Sequence, residues 1–201
     1  GAGAAAADAS PPVWSHRRVA EEKVAIIGSG NWGCAIARIA GQNVHHFDGF
    51  DNEVKMWVFE EEVEGRKLTD IINTDHENVK YLPGVKLPEN VIAVPDLVEV
   101  VKDATMLVFV LPHQFLHRLI PQIKPHLHSH AKACSLIKGI DYDEKGLVLI
   151  SDIIRDGLDL DVSVLMGANV ANDVARDQFA EATVGAKVPE HGEAFKDLFD
   201  T

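Results

Sequence analysis

The amino-acid sequence predicts an α/β domain in which helices cover both faces of a doubly wound, mostly parallel β-sheet. From Lys23 onward, short runs of β-branched residues alternate with stretches of helical periodicity, as in consecutive strand–helix–strand units. One run, Met106–Leu111, is apolar at every position, which is typical of a strand in a sheet buried on both faces. Three closely spaced glycines, Gly28, Gly30 and Gly33, stand where the first strand meets the first helix.

The composition is that of a globular domain, and it argues against several classes of protein. The 201 residues are 46% hydrophobic, so the chain can bury a core without a disulfide or a metal. Lys and Arg total 19 against 31 Asp and Glu, a formal net charge of -12 without a basic stripe, which argues against nucleic-acid binding. An anionic cofactor stays compatible with this charge, because backbone N–H groups can hold it.

The sequence also argues against a membrane span and a disulfide framework. No apolar run approaches the ~18 residues that cross a bilayer. Cys34 and Cys134 lie in apolar periodic segments, as expected for small buried residues in a reducing compartment.

The first 22 residues differ in composition from the rest of the chain. Residues 1–18 are rich in Ala and Gly and show no periodicity, so we expect residues 1–22 to be a disordered tail. The alternative is a leader that directs the chain to an organelle, which the pair Arg17 and Arg18 with little nearby acid would suit. The folded domain is expected at residues 23–201.

The first half of the domain predicts three strands and three helices in alternation. The predicted strands are Val24–Ile27, Val54–Phe59 and Val91–Val94, and the predicted helices are Trp32–Ile39, Arg66–Thr74 and Pro95–Lys102. A loop with many turn residues, "HENVKYLPGVKLPEN", precedes the third strand. Asp96 falls in the first turn of the third helix, where an acidic residue is favourable.

The second half continues the same alternation. Its predicted strands are Met106–Leu111, Ala133–Ile137, Val162–Met166 and Thr183–Gly185, and its predicted helices are His113–Ile123, residues 146–158 and His191–Phe199. The Leu and Ile spacing of "GLVLISDIIRDGL" predicts the amphipathic helix at 146–158. A doubly wound domain normally continues into a further strand, so we expect the domain to be cut short at Thr201.

The glycines form the motif G-x-G-x-x-G between a predicted strand and a predicted helix, which is the position in which this motif indicates dinucleotide binding. Gly28 permits a tight turn, Gly30 allows backbone to approach a phosphate, and Gly33 allows the helix to pack on the strand. The helix N-terminus then offers unpaired N–H groups to a pyrophosphate. The alternative is a turn that uses glycine for geometry only. We favour a Rossmann-like, dinucleotide-binding domain.

The end of the second strand indicates which dinucleotide binds. A carboxylate there would accept hydrogen bonds from the adenosine ribose and repel a 2′-phosphate, and Glu60–Glu62 stand at this place. Phe59 could pack against adenine. The alternatives are a solvated helix start for the glutamates and a core position for Phe59. NAD is therefore preferred over NADP.

Two later segments place further candidates at the carboxyl ends of strands, where such sheets bind ligands. Phe115 follows the strand that ends near Pro112, and it suits a cofactor contact and a core position equally well. Lys138 follows the Ala133–Ile137 strand, so a substrate-binding ammonium is favoured over a solvated strand end. Asn169 follows a third strand and could cap the next helix.

A metal site is rejected. His126, His128 and His130 are spaced by two, which would put them on one face of a strand. No fourth ligand is evident, and the flanking Pro125 and Ser129 indicate a loop.

Taken together, several strings resemble the NAD-dependent glycerol-3-phosphate dehydrogenases. They are "GSGNWG", "MWVFEEE", "INTDHENVKYLPGVKLPENV", "FVLPHQF", "SLIKGID" and "SVLMGANVANDV". In order, they cover the chain from Lys23 to Thr201, and they resemble the N-terminal part of the eukaryotic form more than the bacterial one.

The resemblance implies a reversible hydride transfer from NADH to dihydroxyacetone phosphate, giving sn-glycerol 3-phosphate. It implies cofactor contacts at Gly28, Ser29, Gly30, Asn31, Trp32, Gly33, Phe59, Phe115 and Ala171. Lys138 matches the family's substrate-contacting lysine, a cation that would stabilise the developing alkoxide. A cytoplasmic homodimer without nucleic-acid or membrane partners is the expected setting.

The resemblance also implies a second, helical domain, which carries the family's general acid/base lysine and the groups that hold the substrate phosphate. The present sequence contains no counterpart of it, so we expect the 201-residue chain alone to bind NAD weakly, if at all, and to show no turnover. Two other readings stay open: a non-catalytic nucleotide-binding module from a shortened isoform, and a related dehydrogenase for another hydroxy acid.

Overall fold

A computed structural model describes residues 21–144 and 146–201, so the tail or leader predicted at residues 1–22 lies almost wholly outside the described residues. The strands are β1 (Glu22–Ile27), β2 (Phe50–Trp57), β3 (Glu62–Val63), β4 (Arg66–Lys67), β5 (Val91–Val94), β6 (Met106–Phe109), β7 (Lys132–Ser135), β8 (Ile140–Asp143), β9 (Gly146–Leu149), β10 (Val162–Met166) and β11 (Thr183–Gly185). The helices are α1 (Asn31–Asn43), α2 (Leu68–Asp75), α3 (Leu97–Val101), α4 (Leu116–Ile123), α5 (Ile150–Leu158), α6 (Ala171–Val174) and α7 (Pro189–Phe199).

Seven strands form one sheet in the order β11-β10-β7-β6-β1-β2-β5. The six strands from β10 to β5 pair in parallel, and β11 pairs antiparallel with β10. This is the doubly wound order of a dinucleotide-binding sheet, so the predicted fold class is confirmed. All six parallel strands of that order lie within the described residues; that the domain is cut short at residue 201 stays a prediction.

The central strands of the sheet are buried on both faces, which explains their continuously apolar runs. In β1, Val24 and Ile26 belong to the core cluster beneath α1, α2 and α7, whereas Ala25 and Ile27 belong to the cluster beneath α3, α4 and α5. All four side chains are at most 3% exposed. Successive residues of a strand point to opposite faces, so a strand covered on both faces, such as β6 or the Val24–Ile27 part of β1, must be apolar at every position.

Two predicted helices begin later than expected because short strands take their first residues. Arg66 and Lys67 form β4, which pairs with β3, and α2 begins only at Leu68. Residues 146–149 form β9, which pairs antiparallel with β8, so the prediction of a helix over 146–158 is wrong for these four residues. Residues 147–150 are a continuous apolar run, Leu-Val-Leu-Ile, which periodicity alone cannot assign to a strand or to a helix.

Smaller differences concern the ends of other elements. The second strand ends at Trp57, so Phe59 lies beyond it. Asp96 is the N-cap of α3, where its side chain accepts hydrogen bonds from the amides of Val98 and Glu99. Residues 113–115 form a 3-10 turn that precedes α4. Among the described residues, no helix is both long enough and apolar enough to cross a bilayer.

Candidate functional site

The three glycines between β1 and α1 lie in different surroundings. Gly28 has a φ of +127°, and a Cβ there would lie 2.4 Å from the carbonyl oxygen of Val110. A Cβ on Gly33 would lie 2.2 Å from the carbonyl oxygen of Gly28. Around Gly30, by contrast, no described atom lies within 4 Å of such a Cβ. The first and third glycines are therefore required by close packing, whereas the second borders open space.

The N-terminus of α1 is free to receive an anion. Its first hydrogen bond runs from the Cys34 amide to the Gly30 carbonyl at 2.9 Å, so the amides of residues 31–33 precede the helical ladder. No described side chain caps this end, and its first turn carries no acidic residue. The positive end of the helix dipole is thus left uncompensated, as suits a phosphate.

A cleft of about 460 Å³ extends from this turn across the carboxyl ends of β6 and β7. It is lined by residues 30–33, 110–114 and 136–138. Because β1 has β2 on one side and β6 on the other, the cleft lies where the two halves of the sheet diverge. Ligands of doubly wound sheets bind at this place.

Three polar atoms around the cleft are buried without a hydrogen-bond partner among the described residues. They are Oδ1 of Asn31, Nε1 of Trp32 and Nδ2 of Asn169. Buried polar groups are nearly always paired in proteins, so unpaired ones at the rim of a cleft fit a polar ligand.

Lys138 lies on this cleft, three residues after β7. Its Nζ donates to Oδ1 of Asn169 at 2.9 Å and to the Asn169 carbonyl oxygen at 3.3 Å. The prediction that Asn169 caps the next helix is wrong, since the N-cap of α6 is Val170 and no described side chain caps it. Asn169 instead fixes the position of the ammonium group, a role that sequence reasoning missed.

The two candidate aromatic residues are exposed at the same edge of the sheet. Phe59, two residues after β2, is 69% exposed, and Phe115, in the turn after β6, is 48% exposed. Neither is a core residue, so the core alternatives considered for them are wrong. Because β2 and β6 flank β1, these rings stand on either side of the strand that leads into the glycine turn.

Ala171 reaches the site through contacts between α6 and α1. Nδ2 of Asn31, the first residue of α1, donates to Oδ1 of Asn172 at 3.2 Å. Two helical turns further along α1, Arg38 forms two hydrogen bonds with Asp177, which lies just past α6; they are 2.7 and 2.9 Å long. These contacts bring Ala171, the first residue of α6, next to the turn.

The glutamates after β2 have partners of their own. Glu60 accepts hydrogen bonds from the amide and the hydroxyl of Thr69, at 3.2 and 2.7 Å, at the start of α2. Partial burial tends to raise the pKa of Glu60, but these hydrogen bonds outweigh it and lower the pKa below its usual value. Glu61 is held by Lys80 and by the Tyr81 hydroxyl, and Glu62 lies in β3. The oxygens of Glu60 and Glu61 thus dock α2 and the following loop, whereas Glu62 is exposed, and the expectation that a carboxylate of Glu60–Glu62 accepts from the ribose stays a prediction.

Sequence reasoning missed a further residue beside the turn, Asn78 of the "HENVKYLPG" loop. It is 1% exposed and donates from Nδ2 to the Ser29 carbonyl at 3.0 Å. The sequence analysis noted this loop but assigned it no role. The contact between Asn78 and the turn joins residues 49 positions apart in the chain, so local sequence does not reveal it.

Metal and thiol chemistry receive no support from the described residues. No group of three or more His, Cys, Asp or Glu side chains there could hold a metal ion. Burial raises the pKa of the Cys34 thiol to about 12 and also raises that of Cys134, so neither is an available nucleophile.

Comparison with known proteins agrees with this geometry. Residues 23–191 match the family model described as the NAD-dependent glycerol-3-phosphate dehydrogenase N-terminus. The glycerol-3-phosphate dehydrogenase 1-like protein of Xenopus tropicalis is 60% identical over 179 residues, 89% of this chain and 51% of that protein. The human cytoplasmic NAD(+) glycerol-3-phosphate dehydrogenase is 54% identical over 183 residues, 91% of this chain and 52% of that protein. The chain thus spans about half the length of the relatives it matches.

Solved structures extend the agreement to the fold. Glycerol-3-phosphate dehydrogenase from Saccharomyces cerevisiae superposes with a TM-score of 0.86 at 44% identity, covering 90% of this chain and 54% of that one. The enzyme from the bacterium Coxiella burnetii gives 0.76 at 20% identity, which shows the fold alone. The predicted likeness to the eukaryotic form is therefore confirmed. The glycine turn, the open helix end and the match over residues 23–191 together show that this chain belongs to the NAD-dependent glycerol-3-phosphate dehydrogenase family, of which it contains the N-terminal, NAD-binding part.

Proposed function

We propose that this chain is the nucleotide-binding half of an enzyme that interconverts dihydroxyacetone phosphate and sn-glycerol 3-phosphate with NADH and NAD. The observation that carries the proposal is the open space at Gly30 directly in front of the uncapped N-terminus of α1. A diphosphate fits there because backbone amides can approach it and the helix dipole favours its charge.

The other contacts follow from the positions of the side chains. The amides of residues 30–33 would hold the diphosphate, and Phe59 would pack on the adenine. Phe115 and Ala171 would contact the cofactor on the substrate side of the cleft. When bound, NADH supplies the hydride, while the protein supplies position and electric field.

Lys138 would act on the substrate. Its ammonium is held by two oxygens of Asn169, so it keeps one donor direction for a ligand in the cleft. A cation fixed beside a carbonyl oxygen stabilises the negative charge that grows there as the hydride is added, and this interaction is stronger in the transition state than in the ground state. The substrate and a cytoplasmic setting belong to the proposal through the names of the relatives, and a homodimer belongs to it only through the family resemblance of the sequence.

A titration of the purified chain with NADH tests the cradle. Gly30→Trp puts a large side chain into space that is empty in the folded protein, so we expect it to abolish NADH binding without unfolding the domain. Gln122→Trp, on the exposed surface of α4, is the matched control and should bind like the wild type. At concentrations where the wild type gives a measurable binding heat, an equal heat for Gly30→Trp would refute the site.

A further inference from the structure

The "HENVKYLPG" loop, which the proposed reaction does not use, inserts one buried side chain against the glycine turn. Asn78 is 1% exposed and makes four hydrogen bonds. Its Nδ2 donates to the Ser29 carbonyl at 3.0 Å and to the Cys34 sulfur at 3.2 Å. Its Oδ1 accepts from the amides of Lys80 and Tyr81 at 3.3 and 3.1 Å.

These bonds fix which way the Asn78 amide faces. The Lys80 and Tyr81 amides can only donate, so the atom that meets them must be the oxygen. The NH₂ group is then turned towards Ser29 and Cys34, whose side chain is fully buried. The backbone of the loop thus orients the Asn78 side chain, and that side chain contacts the turn.

The Ser29 carbonyl receives a second donor that lies next to the first. The Cys34 thiol donates to it at 3.3 Å, so two buried groups hold this oxygen towards the protein interior. The described chain contains no cis peptide bond, and in a trans peptide the C=O and the following N–H point in opposite directions. The Gly30 N–H is therefore turned away from the interior, towards the open space of the cleft.

Without such a restraint the peptide between Ser29 and Gly30 would be free to rotate. Turning this peptide over would change the φ of Gly30 from -67° to a positive value, which costs glycine little because it has no Cβ. That orientation would present a carbonyl oxygen to a phosphate and repel it. A turn rich in glycine needs an external contact to select the binding orientation.

We propose that Asn78, supported by the Cys34 thiol, is a positioning residue that holds the Ser29–Gly30 peptide with its N–H directed at the diphosphate. The orientation of the peptide is a property of the free protein, and only its consequence for affinity rests on the proposed function. The loop between α2 and β5 thereby acts on cofactor binding without touching the cofactor.

The first test uses the free 201-residue chain and nuclear magnetic resonance. Asn78→Asp keeps the size and the Oδ1 acceptor, and at a pH where the new carboxylate is ionised its second oxygen replaces the donor and repels the Ser29 carbonyl. We expect the carbonyl ¹³C shift of Ser29 and the N–H residual dipolar coupling of Gly30 to change. Asn90→Asp is the matched control, because Asn90 also donates to two backbone carbonyls, those of Gly41 and Asn52, away from the turn. Unchanged Ser29 and Gly30 signals in Asn78→Asp would overturn the inference.

The second test measures affinity for NADH and for ADP by calorimetry. Asn78→Asp should weaken both by about tenfold, since the loss concerns the diphosphate that they share. Asn90→Asp should bind both like the wild type, although it loses hydrogen bonds of similar kind. A variant that is folded, shows the altered Gly30 coupling and still binds as tightly as the wild type would also overturn the positioning role.

The two tests separate this inference from the proposed function. If Gly30→Trp binds NADH as tightly as the wild type but Asn78→Asp alters the Gly30 coupling, the proposed function fails while the orienting contact stands. If Asn78→Asp does not fold, Cys34→Ala removes the other donor to the same carbonyl, and we expect a smaller change of the same Ser29 and Gly30 signals. No change in Cys34→Ala would then count against the restraint.

Discussion

At the scale of single residues, the glycine turn separates positions that the fold needs from a position that the ligand needs. A Cβ added to Gly28 or Gly33 would lie closer to backbone atoms than any real Cβ does. Gly30 has an ordinary φ of -67° and free space around it, so nothing in the fold of the described residues requires a glycine there. The sequence motif makes the three look equivalent, and only the structure distinguishes them.

Substitution at the two kinds of position should therefore have opposite effects. Gly33→Ala forces a methyl group against the Gly28 carbonyl, and we expect it to lower the free energy of unfolding by about 3 kcal/mol. Gly30→Ser should leave stability unchanged or raise it, because serine is a better N-cap than glycine and its hydroxyl can accept from the first-turn amides. The same hydroxyl competes with a phosphate for those amides, so NADH affinity should fall. Urea unfolding and calorimetric titration of both variants measure this, and a destabilised Gly30→Ser would contradict the interpretation.

At the scale of elements, carboxylates tie the loop that carries Asn78 to its surroundings. Hydrogen bonds from Lys80 and Tyr81 hold the pKa of Glu61 below its ordinary value of 4.5. The Gly84 amide, at 2.9 Å, and Lys86 do the same for Glu77. The ionised form of each carboxylate is thus favoured by folding.

These pKa shifts predict how the free energy of unfolding depends on pH. A carboxylate with a lowered pKa binds fewer protons in the folded state than in the unfolded state. Its contribution to the free energy of unfolding is complete above pH 4.5, the ordinary pKa of a glutamate. That contribution is lost as the pH falls through the lower pKa of the folded state. The free energy of unfolding should accordingly decrease from pH 5 downward, and the decrease should be smaller in Glu61→Gln. Urea unfolding of both proteins between pH 6 and 3 tests this; parallel curves for the two would assign the acid sensitivity to other groups.

The same elements show what the sequence could and could not predict. The strand Val91–Val94 was predicted at its observed bounds because a buried parallel strand is apolar throughout. Residues 146–149 were assigned to a helix because their pairing with β8 is not visible in their own spacing. The glycine turn was predicted because its chemistry is local. The partners of Lys138 and Asn31 were not, because Asn169 and Asn172 lie 31 and 141 positions away along the chain.

At the scale of the whole molecule, two hydrophobic cores cover the two faces of one sheet, and the site lies at the carboxyl ends of its strands. β1, β6 and β7 are buried between helices on both faces, so the turn after β1 and the ends of β6 and β7 are carried on a packed frame. The cleft between them is nevertheless open, and Lys138 remains exposed to solvent. The packed sheet is suited to positioning a nucleotide. The residues that line this open cleft do not enclose a substrate on their own.

This difference predicts the behaviour of the 201-residue chain on its own. Hydride transfer to a carbonyl requires the substrate to be held close to the cofactor and shielded from water, and an exposed lysine alone provides neither. We therefore expect purified chain to oxidise no NADH above the buffer rate when dihydroxyacetone phosphate is added, at enzyme concentrations up to about those of the nucleotide. A folded sample is verified by a cooperative thermal transition, and NADH should raise its midpoint if the nucleotide binds. Turnover that disappears in Lys138→Met would contradict this expectation, and it would mean that the residues of this chain suffice to complete the active site.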